Sequence, residues 1–271
     1  MVAAAVVAGA LLAVAGSFAV LRLTSSGPAD PYLAELVTEV TTVPVGHPAP
    51  VGATLPTMPP TSSGTSAYSS SVQVDDTPVA VSGPRLTKAG RPEVLYVGTG
   101  YCPYCAEENW ALIVALSRFG RFAGLTTSRS PRFEGIAPID GWTFYGSSYT
   151  SPYLAFVPVE TFSNVLASPK ANPADAASYR ALQQLTPAQQ AVFDKYDTQG
   201  STPFIDFANG AAQTGSGILP NLLAGKTWQQ IAAALRQPNT PLGAALLNEA
   251  NTLTAELCRL TGARPAAACP S

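Results

Sequence analysis

Glu93-Val94-Leu95-Tyr96-Val97-Gly98-Thr99-Gly100-Tyr101-Cys102-Pro103-Tyr104-Cys105 is the stretch on which the fold turns. Residues 93–98 are a β-rich apolar run of the kind buried in a sheet. A short loop, a CxxC pair and a long apolar segment follow, the last from about 103 to 119 with Ala111, Leu112, Val114, Ala115, Leu116 and Phe119 among its members. The order predicted is strand, loop, CxxC, helix. Pro103 suits the first helical turn, where a missing N–H leaves nothing unpaired. Cys102 then stands at the helix amino terminus, where orphan N–H groups and the macrodipole favour negative charge. A thiolate is the active form of cysteine, so this reading makes Cys102 the exposed, attacking sulfur. Cys105 lies one turn in, more shielded and close enough to close a disulfide, which makes it the resolving sulfur. Glu107 and Glu108 favour the helix start, yet their charge opposes a very low thiolate pKa.

A CxxC pair alone has three readings: a redox centre, half of a zinc site, or an inert structural disulfide. The strand-to-helix placement favours the first. Against zinc, Cys258 and Cys269 have ten residues between them and form no second tight knuckle. Composition narrows the field further. The chain has 271 residues and 46% hydrophobic residues, enough for a real core. Charged residues make up only 12%, and the net charge of −2 comes with no basic cluster, which argues against nucleic-acid binding. A single histidine, His47, sits between Gly46 and Pro48 and reads as a solvated loop residue. No metal and no cofactor are expected, and the chemistry falls to the cysteines.

Residues 2–21 carry no charge and form an apolar run long enough to span a bilayer. An uncleaved anchor, a cleaved signal peptide ending near Ala13-Val14-Ala15, and a buried soluble helix are the alternatives. An even cysteine count behind such a segment suits an oxidising, extracytoplasmic space. The chain divides into an anchor or signal segment (1–24), a short helix with a Pro-rich extended arm (25–71) and a folded domain (72–271). Asp30 and Pro31 signal the helix near 31–41 by cap and first-turn proline. Within the domain, strands are expected near 125–130, 142–145 and 153–159, the last two as an aromatic-rich pair, and helices over 173–198. Asn209-Gly210 is the strongest hairpin signal. Helices open at Thr227 and Thr240. Asp140 and Asp206 are candidate proton acceptors beside the capping and turn roles that suit them better. Tyr104 reads as an exposed residue that can touch a partner peptide, and Tyr145, Tyr149, Tyr153 and Phe156 as core or hairpin aromatics.

Strand, CxxC and long helix, followed much later by Thr202-Pro203 and the strand Phe204–Phe207, resemble the thioredoxin fold. The resemblance implies that Pro203 is a cis-proline lying against the CxxC, with Thr202 before it. The Cys-Pro-Tyr-Cys tetrapeptide is similar to that of glutaredoxins, and its CPxC form is shared with periplasmic disulfide oxidants. Tyr101–Glu107, Ala115–Gly120, Thr202–Phe207 and Leu223–Trp228 more closely resemble a thioredoxin-like family of uncharacterised function found in actinobacteria and archaea, often with an amino-terminal membrane segment. That likeness covers roughly 30–269. It implies an α/β, thioredoxin-like fold preceded by a transmembrane helix, with a large insertion at about 125–199, over the sheet, between the CxxC helix and the cis-proline strand.

The expectation is a membrane-anchored, single-pass thiol–disulfide oxidoreductase whose soluble domain lies outside the cytoplasm. Its catalytic set is Cys102, Cys105, Pro203 and Thr202, and its partners are thiols and disulfides of exported proteins, with a membrane redox partner or complex. Of the three pairings open to four cysteines, 102–105 and 258–269 are expected, the second as a structural staple on the carboxyl-terminal tail. The rival is a non-catalytic thioredoxin-like scaffold of a membrane complex.

Overall fold

A computed structural model describes residues 30–45 and 77–269, and the 93–98 run lies at its centre. Along the chain the elements are α1 (Pro31–Thr41), β1 (Val79–Ala80), β2 (Thr87–Lys88), β3 (Arg91–Gly98), α2 (Pro103–Ser117), β4 (Arg121–Ala123), β5 (Thr126–Arg129), β6 (Asp140–Thr143), β7 (Ser148–Thr150), β8 (Ala155–Glu160), β9 (Phe162–Leu166), a 3-10 turn (Ala176–Ser178), β10 (Tyr179–Ala181), α3 (Pro187–Tyr196), β11 (Phe204–Phe207), β12 (Ala211–Thr214), α4 (Pro220–Leu223), α5 (Trp228–Ala234) and α6 (Pro241–Thr261). The main sheet is mixed. β3 runs parallel to β8 and antiparallel to β11, β12 and β1 continue beyond β11, and β2 pairs with the start of β3.

Alternation along β3 divides the core in two. Val94 and Tyr96 face the larger cluster, which includes Trp110, Leu112 and Ile113 of α2 and Leu246, Leu253 and Leu257 of α6. Leu95 and Val97 face the smaller one, with Val157, Val159, Phe204 and Phe193 of α3. A strand buried on both faces has no room for polar alternation, which is why 93–98 reads as a continuous apolar run. α2 is apolar on nearly all sides because it is packed on nearly all sides, by α1, α6 and β6. β6 approaches so closely that a Cβ on Gly141 would lie 2.5 Å from the Ala106 carbonyl oxygen. Caps stop the helices where the sequence signals them. Thr186 with Gln189 and Thr227 with Gln230 form reciprocal capping boxes, and Gly262 ends α6 in the left-handed conformation at φ 64°.

Several expectations need correction. The expected thioredoxin-like fold preceded by a transmembrane helix gives way to a mixed α/β fold on a mixed sheet. Among the described residues no helix is long and apolar enough to cross a membrane. α2 is apolar but has only 15 residues, short of the roughly 20 needed, while the 21-residue α6 carries Glu249, Glu256 and Arg259. The segment 2–21, assigned to the anchor, lies outside the described residues, as do His47 and the arm from 46 to 71. α1 packs onto the folded domain: Leu36 and Val40 are buried in the larger core, and Arg236 donates to the Glu39 carbonyl and the Thr42 hydroxyl. The insertion is not a layer laid over the sheet, because β8 from within it is the parallel neighbour of β3. Residues 142–145 and 153–159 do not pair together; β6 pairs with β5 instead. Within 173–198 only α3 is an α-helix, since Tyr179–Ala181 pair with β9 as a short strand.

Candidate active site

β3 ends at Gly98, and the loop 99–102 delivers the chain to the start of α2. Cys102 is the N-cap of that helix, with extended backbone (φ −75°, ψ 122°), and its Sγ accepts the Cys105 amide at 3.3 Å. The sulfur therefore fills the place a serine or aspartate oxygen takes at other helix starts. Cys102 Sγ also donates to the Thr202 carbonyl at 3.3 Å, across 100 residues of sequence. The Thr202–Pro203 peptide is cis, and Pro203 is buried. Folding thus brings Cys102, Cys105, Thr202 and Pro203 to one place. Cys102 and Cys105 are thiols in this structure, and Cys258 and Cys269 form a disulfide with Cα atoms 5.6 Å apart.

Exposure departs from the expected picture. Cys102 is 6% exposed and Cys105 1%, so the cysteine read from the sequence as exposed is nearly as buried as its neighbour. The two thiols titrate together. Burial, then hydrogen bonding to Cys105 and its charge, pushes Cys102 well above the ordinary thiol range. Burial acts on Cys105 in the same direction, but hydrogen bonding with Cys102, the Thr99 backbone and Thr202 outweighs it and holds that thiol below its ordinary value. Of the two thiols, Cys105 is therefore the one that gives up its proton more readily. Glu108 does not oppose that charge as the sequence suggested. It is fully buried, and desolvation together with Glu249 pushes its carboxyl well up into the neutral form. Ser216 Oγ donates to it at 2.8 Å, and Gln213 Nε2 donates to Glu249 at 2.9 Å.

The cover over the site comes from the hairpin of β9 and β10. The Gly100 amide donates to the Phe162 carbonyl at 2.7 Å, and a Cβ on Gly100 would lie 2.7 Å from the Asn164 nitrogen and 2.9 Å from the Ser163 carbonyl carbon. Only glycine allows so close a crossing of backbones. Beside Cys102, Tyr101 stacks on Tyr179 (centroids 4.7 Å apart) and packs against Phe133 at 4.9 Å and Phe162 at 6.2 Å.

A family model described as Domain of unknown function (DUF929) matches residues 77–259. The chain belongs to that family. No curated protein and no solved structure matches it. The DUF929 segment holds Cys102, Cys105, Thr202, Pro203 and Cys258, and leaves Cys269 and α1 outside.

Other candidates in the DUF929 segment take other roles. Asp206 is buried in β11 and accepts the Asn209 amide in the hairpin turn, a turn role. Asp140 pairs with Arg129 at 3.2 Å. Tyr104 is half-buried rather than exposed. Tyr149 and Phe156 pack with Phe122 and Phe144 in the core, while Tyr145 is 49% exposed. The zinc alternative finds no site: Cys258 is bonded to Cys269, and among the described residues no three metal-ligating side chains gather. Sequence reasoning missed Tyr96, Glu249, Gln213, Ser216 and the aromatic group on Tyr101. Only Tyr96 had a local signal, a polar tip two residues before a glycine on the same strand face.

Proposed function

We propose that this DUF929 protein is a thiol–disulfide oxidoreductase acting on exported proteins in an oxidising space outside the cytoplasm. The observation that carries the reading is the Cys102 sulfur at a helix N-cap, between the Cys105 amide and the Thr202 carbonyl that precedes cis-Pro203. The disulfide between Cys258 and Cys269 supports the compartment.

In the oxidised pair, a client thiolate attacks Cys102 Sγ. The S–S bond breaks and its electron pair leaves on Cys105 Sγ, giving a client–Cys102 mixed disulfide. A second client thiolate then attacks the client sulfur and expels Cys102. The client gains a disulfide, the pair is reduced by two electrons, and the protons pass to the pair and to solvent. Run in reverse, the same steps reduce a client. There Cys102 first gives up its proton to solvent and then attacks the client disulfide, whose second sulfur leaves with the electron pair.

The test is a Cys105→Ala variant expressed with its exported proteome, which should accumulate mixed disulfides on Cys102. None trapped under non-reducing conditions overturns the reading. The near-burial of both cysteines favours one rival, a non-catalytic scaffold whose pair is structural. Equilibration with glutathione separates the two, since structural pairs sit below about −300 mV and exchangeable ones above.

A further inference from the structure

Tyr96 lies in the middle of β3, fully buried, with Phe144 edge-on at 5.2 Å and Phe156 at 6.4 Å. Its ring crosses Gly98, the next residue on the same strand face, where a Cβ would sit 2.2 Å from the Tyr96 hydroxyl and 2.5 Å from Cζ. The missing side chain at Gly98 opens a path toward the start of α2. The hydroxyl at the end of that path is buried and finds no oxygen or nitrogen partner. The titratable groups it faces are Cys105, Glu160 and Cys102. Glu160 is already engaged, by the Thr143 hydroxyl and by the Phe144 amide at 2.7 Å. A buried hydroxyl without a partner is disfavoured unless another state of the protein supplies one.

We propose that the Tyr96 hydroxyl is a positioning group that donates a hydrogen bond to Cys105 Sγ when that sulfur carries the negative charge, as it does when the 102–105 disulfide is opened at Cys102. This rests on the exchange reading and deepens it. Around Cys105 lie Cys102, Tyr96, Thr202 and the Thr99 backbone, with Glu108, whose carboxyl burial pushes up, beyond them. Burial and the Cys105 charge both push the Tyr96 hydroxyl well above its usual range, so it stays protonated and able to donate. Its donation favours the broken bond and makes the disulfide form a better oxidant.

The experiment uses the full chain and two variants. Tyr96→Phe keeps the ring and removes the donor. Gly98→Ala keeps the hydroxyl and displaces it. Each is equilibrated with reduced and oxidised glutathione, and the dithiol is titrated by its thiolate absorbance. Loss of the donor should favour the disulfide by about tenfold, about 30 mV toward reducing potentials, and raise the first thiol titration by about one pH unit. A purely structural tyrosine would change unfolding midpoints and leave both readouts where they are in the parent. An unchanged potential and titration in both variants overturns the inference about Tyr96. A parent protein that does not equilibrate with glutathione at all overturns the exchange reading itself.

Discussion

Replacing Asp206 with asparagine should change how stability depends on pH, and by an amount the structure sets. Asp206 is fully buried, and its two oxygens accept the Asn209 amide at 3.1 and 3.0 Å. Burial pushes its carboxyl from the ordinary 3.8 up to about 7, Glu93 adds to the rise, and the Asn209 and Ala208 amides with Lys195 oppose it. Between those two values the folded protein holds a proton that the unfolded chain has released. Stability is therefore full below about pH 4 and falls as pH rises toward 7, by up to about 1.4 kcal/mol per pH unit and about 4 kcal/mol in all. Asparagine mimics the neutral acid, still accepts the Asn209 amide and cannot ionise. Urea unfolding at about pH 4.5, 5.5 and 6.5 measures both proteins, and the buried acids they share cancel in the difference. The gap should widen steadily with pH in favour of Asp206→Asn. Parallel stability curves would refute the reasoning, and a lost ability to exchange with glutathione would show that Asp206 belongs to the thiol site after all.

Two further substitutions test other parts of the argument. Gly100→Ala drives a Cβ into backbone atoms of Ser163 and Asn164 that cannot rotate away, so it should destabilise by about 1–3 kcal/mol and raise the rate at which iodoacetamide alkylates Cys102; urea unfolding and timed alkylation read the two effects. Cys269→Ala opens the staple between the end of α6 and the tail and should lower stability by about 2–4 kcal/mol, with the 102–105 potential unmoved, as checked by unfolding and glutathione equilibration.

What the sequence made legible follows from which contacts are local. The strand at 93–98, the cap at Cys102 and the helix after it could be read because apolar run, N1 proline and cap lie within one stretch. The hairpin signalled by Asn209-Gly210 was readable for the same reason, although the residues at positive φ are Ala208 and Asn209 (54° and 60°), one place earlier than that signal puts them. Residues 173–198 misled because Ala-rich sequence resembles helix, while Tyr179 is drawn into a strand by Leu166 and onto Tyr101 by its ring. Those partners are 13 and 78 residues away, and no local propensity encodes them. The aromatic strand 153–159 was recognised as a strand but not as the neighbour of β3, since a largely buried parallel strand shows little alternation that would name its partner.

The same non-local contacts explain why the exposure of Cys102 ran against expectation. A sulfur at a helix N-cap should be exposed if only its own segment is considered. Here the Thr202 carbonyl closes one side, the β9 backbone crosses Gly100 on another, and the aromatic group on Tyr101 stands beside it. Burial raises the energy of any thiolate, yet it also removes water that would compete for the hydrogen bonds a thiolate accepts. At Cys105 the second effect prevails because several donors converge on the sulfur. At Cys102, where desolvation outweighs the Cys105 amide, the first does. The pair is thus polarised in the direction that a reaction opening the disulfide at Cys102 requires, with the outer sulfur left to bond the client and the inner one able to hold the departing charge.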